Sequence, residues 1–147
     1  MITAPDSMTA EQLVGYTVPG KRVELVRGQL VVREPASFRH GDVGLRLGIA
    51  LGIHLAHEQQ ANAWATKRGL AVEVRSLGDR AGDVIAKVSD WLETGTLLVW
   101  SVDPERKQVV VYRADGSVSV LGVRDTLQGD TVLPGFAMAL AVLFADD

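Results

Sequence analysis

Cysteine is absent from this 147-residue chain, which excludes disulfides, zinc–thiolate sites and cysteine nucleophiles. Aromatic residues supply only 5% of it, too few for the base-stacking platform that single-strand binders use. No apolar run approaches the roughly 20 residues that a membrane span needs. The opening segment MITAPDSMTAEQL lacks a charged stretch leading into an apolar core. These absences lead to the expectation of a cytoplasmic chain with no secretion signal and no membrane partner. Neither the G-x-x-x-x-G-K-[ST] phosphate loop nor G-x-G-x-x-G after a strand occurs, so no small-molecule cofactor is expected. The G-x-S-x-G nucleophile elbow is missing as well.

What is present is a chain with 47% hydrophobic residues and a net charge of −3. That is enough apolar chain for one sizeable core, and a single domain over residues 1–147 is expected. The net charge gives no global reason for a polyanionic partner, but its distribution is uneven. Residues 1–80 hold ten Lys/Arg against eight Asp/Glu, and residues 81–147 hold five against ten. A mildly basic first half fits a weak phosphate-facing surface, or an ordinary mixed solvated one.

Along the chain, Thr9-Ala10-Glu11-Gln12 has capping-box spacing and predicts a short helix ending near Gly15. Two strands, 22–26 and 29–32, are predicted around a tight Arg27-Gly28 turn. From about Phe38 to Gln60 the period is helical, with Val43, Leu47, Ala50, Leu51 and Leu55 on one face. Gly41, Gly44, Gly48 and Gly52 recur on this helix, and each costs about 1 kcal/mol relative to alanine. A closely packed neighbour is therefore expected against them. His54 and His57 have the i, i+3 spacing of a metal pair, but no further ligand accompanies them, and helix-surface histidines are the plainer expectation. A short strand is predicted over residues 61–67.

The most chemically suggestive stretch runs from Leu70 to Asp103 and reads as strand, loop, helix, strand. Glu73 interrupts the apolar strand 70–74, and a carboxylate placed there is costly to desolvate without a cation. Lys87 lies on the following helix at the rim of a stripe formed by Val84, Val88, Trp91 and Leu92. Asp83 stands one turn before Lys87, and an i, i+4 surface pair between them is the plain alternative to a role in a site. Residues 97–102 are continuously apolar around Ser101, as in a strand buried on both faces. A hairpin over 108–121 and a terminal apolar segment 139–144 follow. The class is α/β in the mixed α+β sense: a central mixed sheet flanked by helices, with antiparallel hairpins at both ends.

Several segments, in order, carry a family resemblance: VELVRGQLVV, SFRHG, LAVEVRSLGDR, AKVSDWL, LVWSVDP, VYRADGS and LPGF. The chain resembles the Uma-type restriction endonuclease family, whose members look like PD-(D/E)XK nucleases. The resemblance implies a restriction-endonuclease-like sheet presenting acids and a lysine to divalent metal. It makes Glu73 the acid of the motif, moves the lysine role to Lys87 and matches Glu24 to an N-terminal acid. The implied metal is Mg²⁺, held by Glu24 and Glu73, and the implied partner is DNA. Such chemistry uses hard oxygen ligands to polarise the phosphoryl group and activate water, with a lysine offsetting developing charge.

The sequence departs from the family pattern at one place. The hairpin bearing the motif's first Asp is missing, and residues 59–72 contain no acid. Asp79 and Asp83 are the candidate substitutes. The expectation is a weakened or inactive endonuclease. The alternative is a non-catalytic nucleic-acid-binding or self-associating remnant, in which an uncovered sheet edge favours a homo-oligomer.

Overall fold

The computed structural model describes residues 8–35, 37–59 and 69–145. Helix α1 (Ala10–Val14) starts at the predicted capping box: the Gln12 amide donates to Thr9 Oγ1, and the Thr9 amide to Gln12 Oε1. Strands β1 (Arg22–Val26) and β2 (Gln29–Arg33) form the predicted hairpin. Its turn holds Arg27 at φ 52° and Gly28 at φ 80°, the left-handed pair that suits a two-residue hairpin connection. Helix α2 (Phe38–Gln59) follows, and then β3 (Leu70–Val74), α3 (Ala81–Glu93) and β4 (Leu98–Asp103). Strands β5 (Gln108–Arg113) and β6 (Val118–Leu121) form the next hairpin. Strands β7 (Thr126–Gln128) and β8 (Ala137–Ala139) pair before α4 (Leu140–Leu143). The strand predicted over 61–67 lies outside the described residues.

The main sheet has the order β3-β4-β5-β6, with β3 parallel to β4 and the other pairs antiparallel. Helix α3 makes the crossover between the parallel strands, the connection that such a pair requires. The expected mixed sheet is thus present. Hairpin 108–121 belongs to it, and the two-stranded pieces at either end are β1-β2 and β7-β8. The β7-β8 pair was not legible, because its strands span three residues each, too few to display a period.

Side-chain alternation gives the sheet two differently covered faces. Leu98, Trp100 and Val102 of β4 join Val109 and Val111 of β5 in the main core. Over them lie Val43 and Leu47 of α2, and Leu127, Phe136, Leu140 and Leu143 from the C-terminal segment. On α3, Val84 and Val88 are buried as expected, whereas Trp91 is 47% exposed. The stripe is therefore narrower than the period implied. Gly129 marks one close approach in the C-terminal segment. A Cβ added there would lie 2.4 Å from the Leu133 carbonyl oxygen.

On α2, Val43 and Leu47 are buried, and Ala50, Leu51 and Leu55 pack against the core, as the period predicted. The helix glycines correct their expectation: a Cβ at Gly41, Gly44, Gly48 or Gly52 would meet nothing within 4 Å. No described part of the chain packs closely on them. The histidines correct theirs in part. His57 is exposed, but the half-buried His54 sets its ring edge-on to Phe136, with centroids 5.5 Å apart. Leu47 and Leu45 give the cleanest test of this orientation. Leu47→Ala should cost about 2–5 kcal/mol of stability in urea denaturation. Leu45, two positions earlier and 63% exposed, should cost within about 0.5 kcal/mol when cut to alanine.

Candidate functional site

Strand β3 is in register with β4 so that Glu73 lies beside Ser101. Leu70, Val72 and Val74 pack against the main core, so alternation sends Glu73 to the opposite face, where α3 lies. Lys87 meets it there: the ammonium donates to Glu73 Oε1 at 2.6 Å. The two side chains retain 22% and 28% of their exposure, so the ion pair is partly shielded and stronger than a surface pair. Ser101, 3% exposed, is the small neighbour that leaves room for the carboxylate. The Asp83–Lys87 surface pair does not form in this arrangement. Asp83 instead lies 3.7 Å from Arg33 Nη1.

The second part of the site comes from the N-terminal hairpin. Arg33 ends β2, with its side chain 11% exposed. Its Nη1 donates to Asp79 Oδ1 at 2.7 Å and its Nε to Glu24 Oε2 at 3.3 Å. The remaining oxygens of those acids are also engaged. Asp79 Oδ2 accepts from the Ser76 amide at 2.7 Å, and Glu24 Oε1 lies 3.0 Å from Arg22 Nη2. His40, at the start of α2, completes the wall by donating from Nε2 to the Val74 carbonyl at 2.9 Å.

Glu24, Glu73, Asp79 and Lys87 all line one cleft of about 270 Å³, together with Arg22, Arg33, Glu34 and His40. Asp83 lines the adjoining cleft beside Lys87 and Arg33. The five residues singled out from the sequence therefore fall in two neighbouring clefts that share Lys87 and Arg33. Their acids are not grouped as a metal centre: among the described residues, no three of His, Asp and Glu are placed to hold an ion. Every acid lining the main cleft has a cationic partner, Lys87 for Glu73, Arg33 and Arg22 for Glu24, Arg33 for Asp79 and Lys21 for Glu34. As arranged, these residues do not fit a Mg²⁺ ion, which needs several uncommitted oxygens in octahedral geometry.

Arg33, Arg22 and His40 were not picked out in the sequence. For the two arginines a signal existed. The two-residue turn sets Arg22 opposite Arg33, and like charges directly opposed on a hairpin are destabilising unless an acid lies close by. Glu24 is that acid, diagonal to Arg33 in the same register.

The Uma2 family model, described as "Putative restriction endonuclease", matches residues 69–142, half of the chain. The chain belongs to this family. The matched span runs from the start of β3 to the last helix, so it includes Glu73, Asp79, Asp83 and Lys87. The hairpin carrying Glu24 and Arg33, and helix α2, lie before it. Among solved structures, the chain is similar to the crystal structure of a "putative nuclease belonging to DUF820 from Anabaena variabilis". The TM-score is 0.71 at 12% identity, covering 93% of this chain and 97% of the other. At that identity the likeness shows a shared fold. No curated protein matches the chain.

Glu73 and Lys87 should be energetically coupled. In a double-mutant cycle of Glu73→Gln and Lys87→Met followed by urea denaturation, the interaction is expected at about 1 kcal/mol or more. Additivity within about 0.3 kcal/mol would mean that the contact contributes nothing to stability.

Proposed function

We propose that this chain is a restriction-endonuclease-like protein acting on DNA, with metal-dependent phosphodiester hydrolysis weak or lost. The observation that carries the reading is the Glu73–Lys87 couple, an acid on a sheet strand and a lysine on the next helix, 2.6 Å apart inside a cleft. An acid and a lysine at one cleft are what such hydrolysis uses on the protein side. The lysine offsets charge developing on a phosphate, and the acid binds a cation or orients water. In this reading Glu73 and Lys87 are the catalytic pair. Glu24 and Glu73 are the carboxylates inherited for a metal, and Asp79 and Asp83 are the nearest substitutes for the missing first Asp.

Two features support weakness. The ten residues between α2 and β3 bring no acid, and the acids lining the cleft are engaged by cations. A lysine bonded to its neighbouring glutamate is also less available to a phosphate oxygen. Loss of a mere supporting partner of a metal ligand costs 10- to 100-fold. Loss of a ligand should therefore leave supercoiled-plasmid nicking at least about a hundredfold below that of a family nuclease with its full acid set. Any residual Mg²⁺- or Mn²⁺-dependent nicking should disappear in Glu73→Ala and in Lys87→Ala. Nicking at a full nuclease rate, or residual nicking equal in all three proteins, defeats the assignment.

The second reading is a non-catalytic module that binds nucleic acid or itself. Its support is the exposed arginines Arg22, Arg27 and Arg80 around the two clefts, together with the position of β3 at one end of the described sheet. Under this reading, duplex DNA binds with an affinity that falls steeply with salt, and Glu73→Ala leaves that affinity unchanged. Fluorescence anisotropy at two salt concentrations separates it from the first.

A further inference from the structure

We propose that Arg33 is the resident cation of the cluster formed by Glu24, Asp79 and Asp83, holding Glu24 away from any metal it would share with Glu73, so that the cleft takes no Mg²⁺ or Mn²⁺. This deepens the proposed function on its lost-activity side: a cleft whose acids are held by Arg33 has no metal to support hydrolysis, and metal binding is measured apart from DNA.

Three carboxylates from three separate elements converge on this one guanidinium. Glu24 comes from β1, Asp79 from the loop after β3, and Asp83 from the first turn of α3, at 3.3, 2.7 and 3.7 Å respectively. Convergence of acids from distant segments is the pattern of a cation site, and here the cation is covalently part of β2. Arg33 and Asp79 retain only 11% and 7% of their side-chain exposure. The pair is therefore largely desolvated, and removing either partner leaves an uncompensated charge.

The charge balance of the cleft agrees. Its lining carries four acids, Glu24, Glu34, Glu73 and Asp79, against three fixed cations, Arg22, Arg33 and Lys87. Lys21, bonded to Glu34, supplies the fourth. A divalent ion entering this balanced set would add two positive charges beside three or four existing ones. A guanidinium also fixes direction, because its planar fork holds Asp79 and Glu24 through separate N–H groups. It thereby ties the N-terminal hairpin to the loop after β3 without any ion.

The test is metal binding by the full chain, read by thermal unfolding in EDTA, Mg²⁺ or Mn²⁺ and by calorimetric titration with Mn²⁺. An occupied site at about a hundred times its Kd raises Tm by about 5–10 °C in a domain of this size. The wild type is expected to show no such rise and no Mn²⁺ heat. Arg33→Met should lower Tm in EDTA by about 5–10 °C and acquire a Mn²⁺-dependent recovery. Arg33→Lys, which keeps a cation in place, should remain indifferent to Mn²⁺. The double variant Arg33→Met/Asp79→Asn removes a charge from each side, so it should regain part of the lost Tm in EDTA. It also keeps the test open if Arg33→Met alone does not fold. A wild-type Mn²⁺ rise abolished by Glu24→Gln overturns the proposal, as does a folded Arg33→Met variant that ignores Mn²⁺. Because no DNA is present, neither result depends on the nicking assay.

Discussion

Strand β4 is the constraint on which the rest of the molecule depends. It is hydrogen-bonded on both edges, parallel to β3 and antiparallel to β5, and its first five residues are buried. A strand enclosed in this way must be apolar on both faces, and Leu98 through Trp100 satisfy that. Ser101 is the exception, and it is the position that faces Glu73 across the register. Burial therefore fixes more than stability. A one-residue slip of β3 would turn Glu73 into the core face beside Trp100 and remove Lys87 from reach. Trp100, fully buried against Phe136 with ring centroids 5.5 Å apart, keeps that face apolar, so a carboxylate turned into it would be costly to desolvate.

The crossover helix converts this register into chemistry. Val84 and Val88 anchor α3, and Lys87, one position before Val88, is carried to the rim, where its ammonium reaches the Glu73 carboxylate. The same helix begins with Asp83 on the side of the N-terminal hairpin. One helix thus places a cation toward β3 and an anion toward β2. The cleft between them is held by opposite charges from both sides. Such a network specifies geometry more surely than it adds stability, since desolvation offsets much of the attraction.

The parts of this arrangement that were legible in the sequence are those with a local period or a local turn. The capping box at Thr9, the hairpin over Arg27-Gly28, the α2 face through Leu47 and the buried run of β4 are all set by neighbours within a few residues. Glu73 was conspicuous because it broke an apolar strand, and Lys87 because it sat at the edge of an apolar stripe. Trp91 misled, since the 3.6-residue period places it near the buried face, yet its side chain stays half exposed. The α2 glycines misled in a different way. Their spacing signals a close neighbour, but nothing in the pattern says whether that neighbour belongs to the same described chain. Arg33 was missed because, beyond Glu24 across the hairpin, its partners Asp79 and Asp83 are 46 and 50 positions away, and only the fold brings those to it.

Residues 59–72 contribute no acid to the cleft, and a metal there would find correspondingly fewer oxygen ligands. Seen in space, the remaining acids are not a depleted metal site waiting for an ion. They form a closed set in which every acid is paired with an arginine or lysine, Arg33 serving Glu24, Asp79 and Asp83 together. Removing one carboxylate from a cluster lowers its negative charge, and the cations already at its rim then suffice to balance it. From that point a divalent ion has little left to neutralise, while the guanidinium, being tethered, carries no cost of association. The Glu73–Lys87 couple fits the same logic. Glu73 near a metal would share its oxygens with the ion and leave Lys87 free for a phosphate. Without one, the ammonium is the nearest cation and takes the carboxylate. The ion pairs that occupy these acids are also the ones that hold β3, α3 and the N-terminal hairpin together.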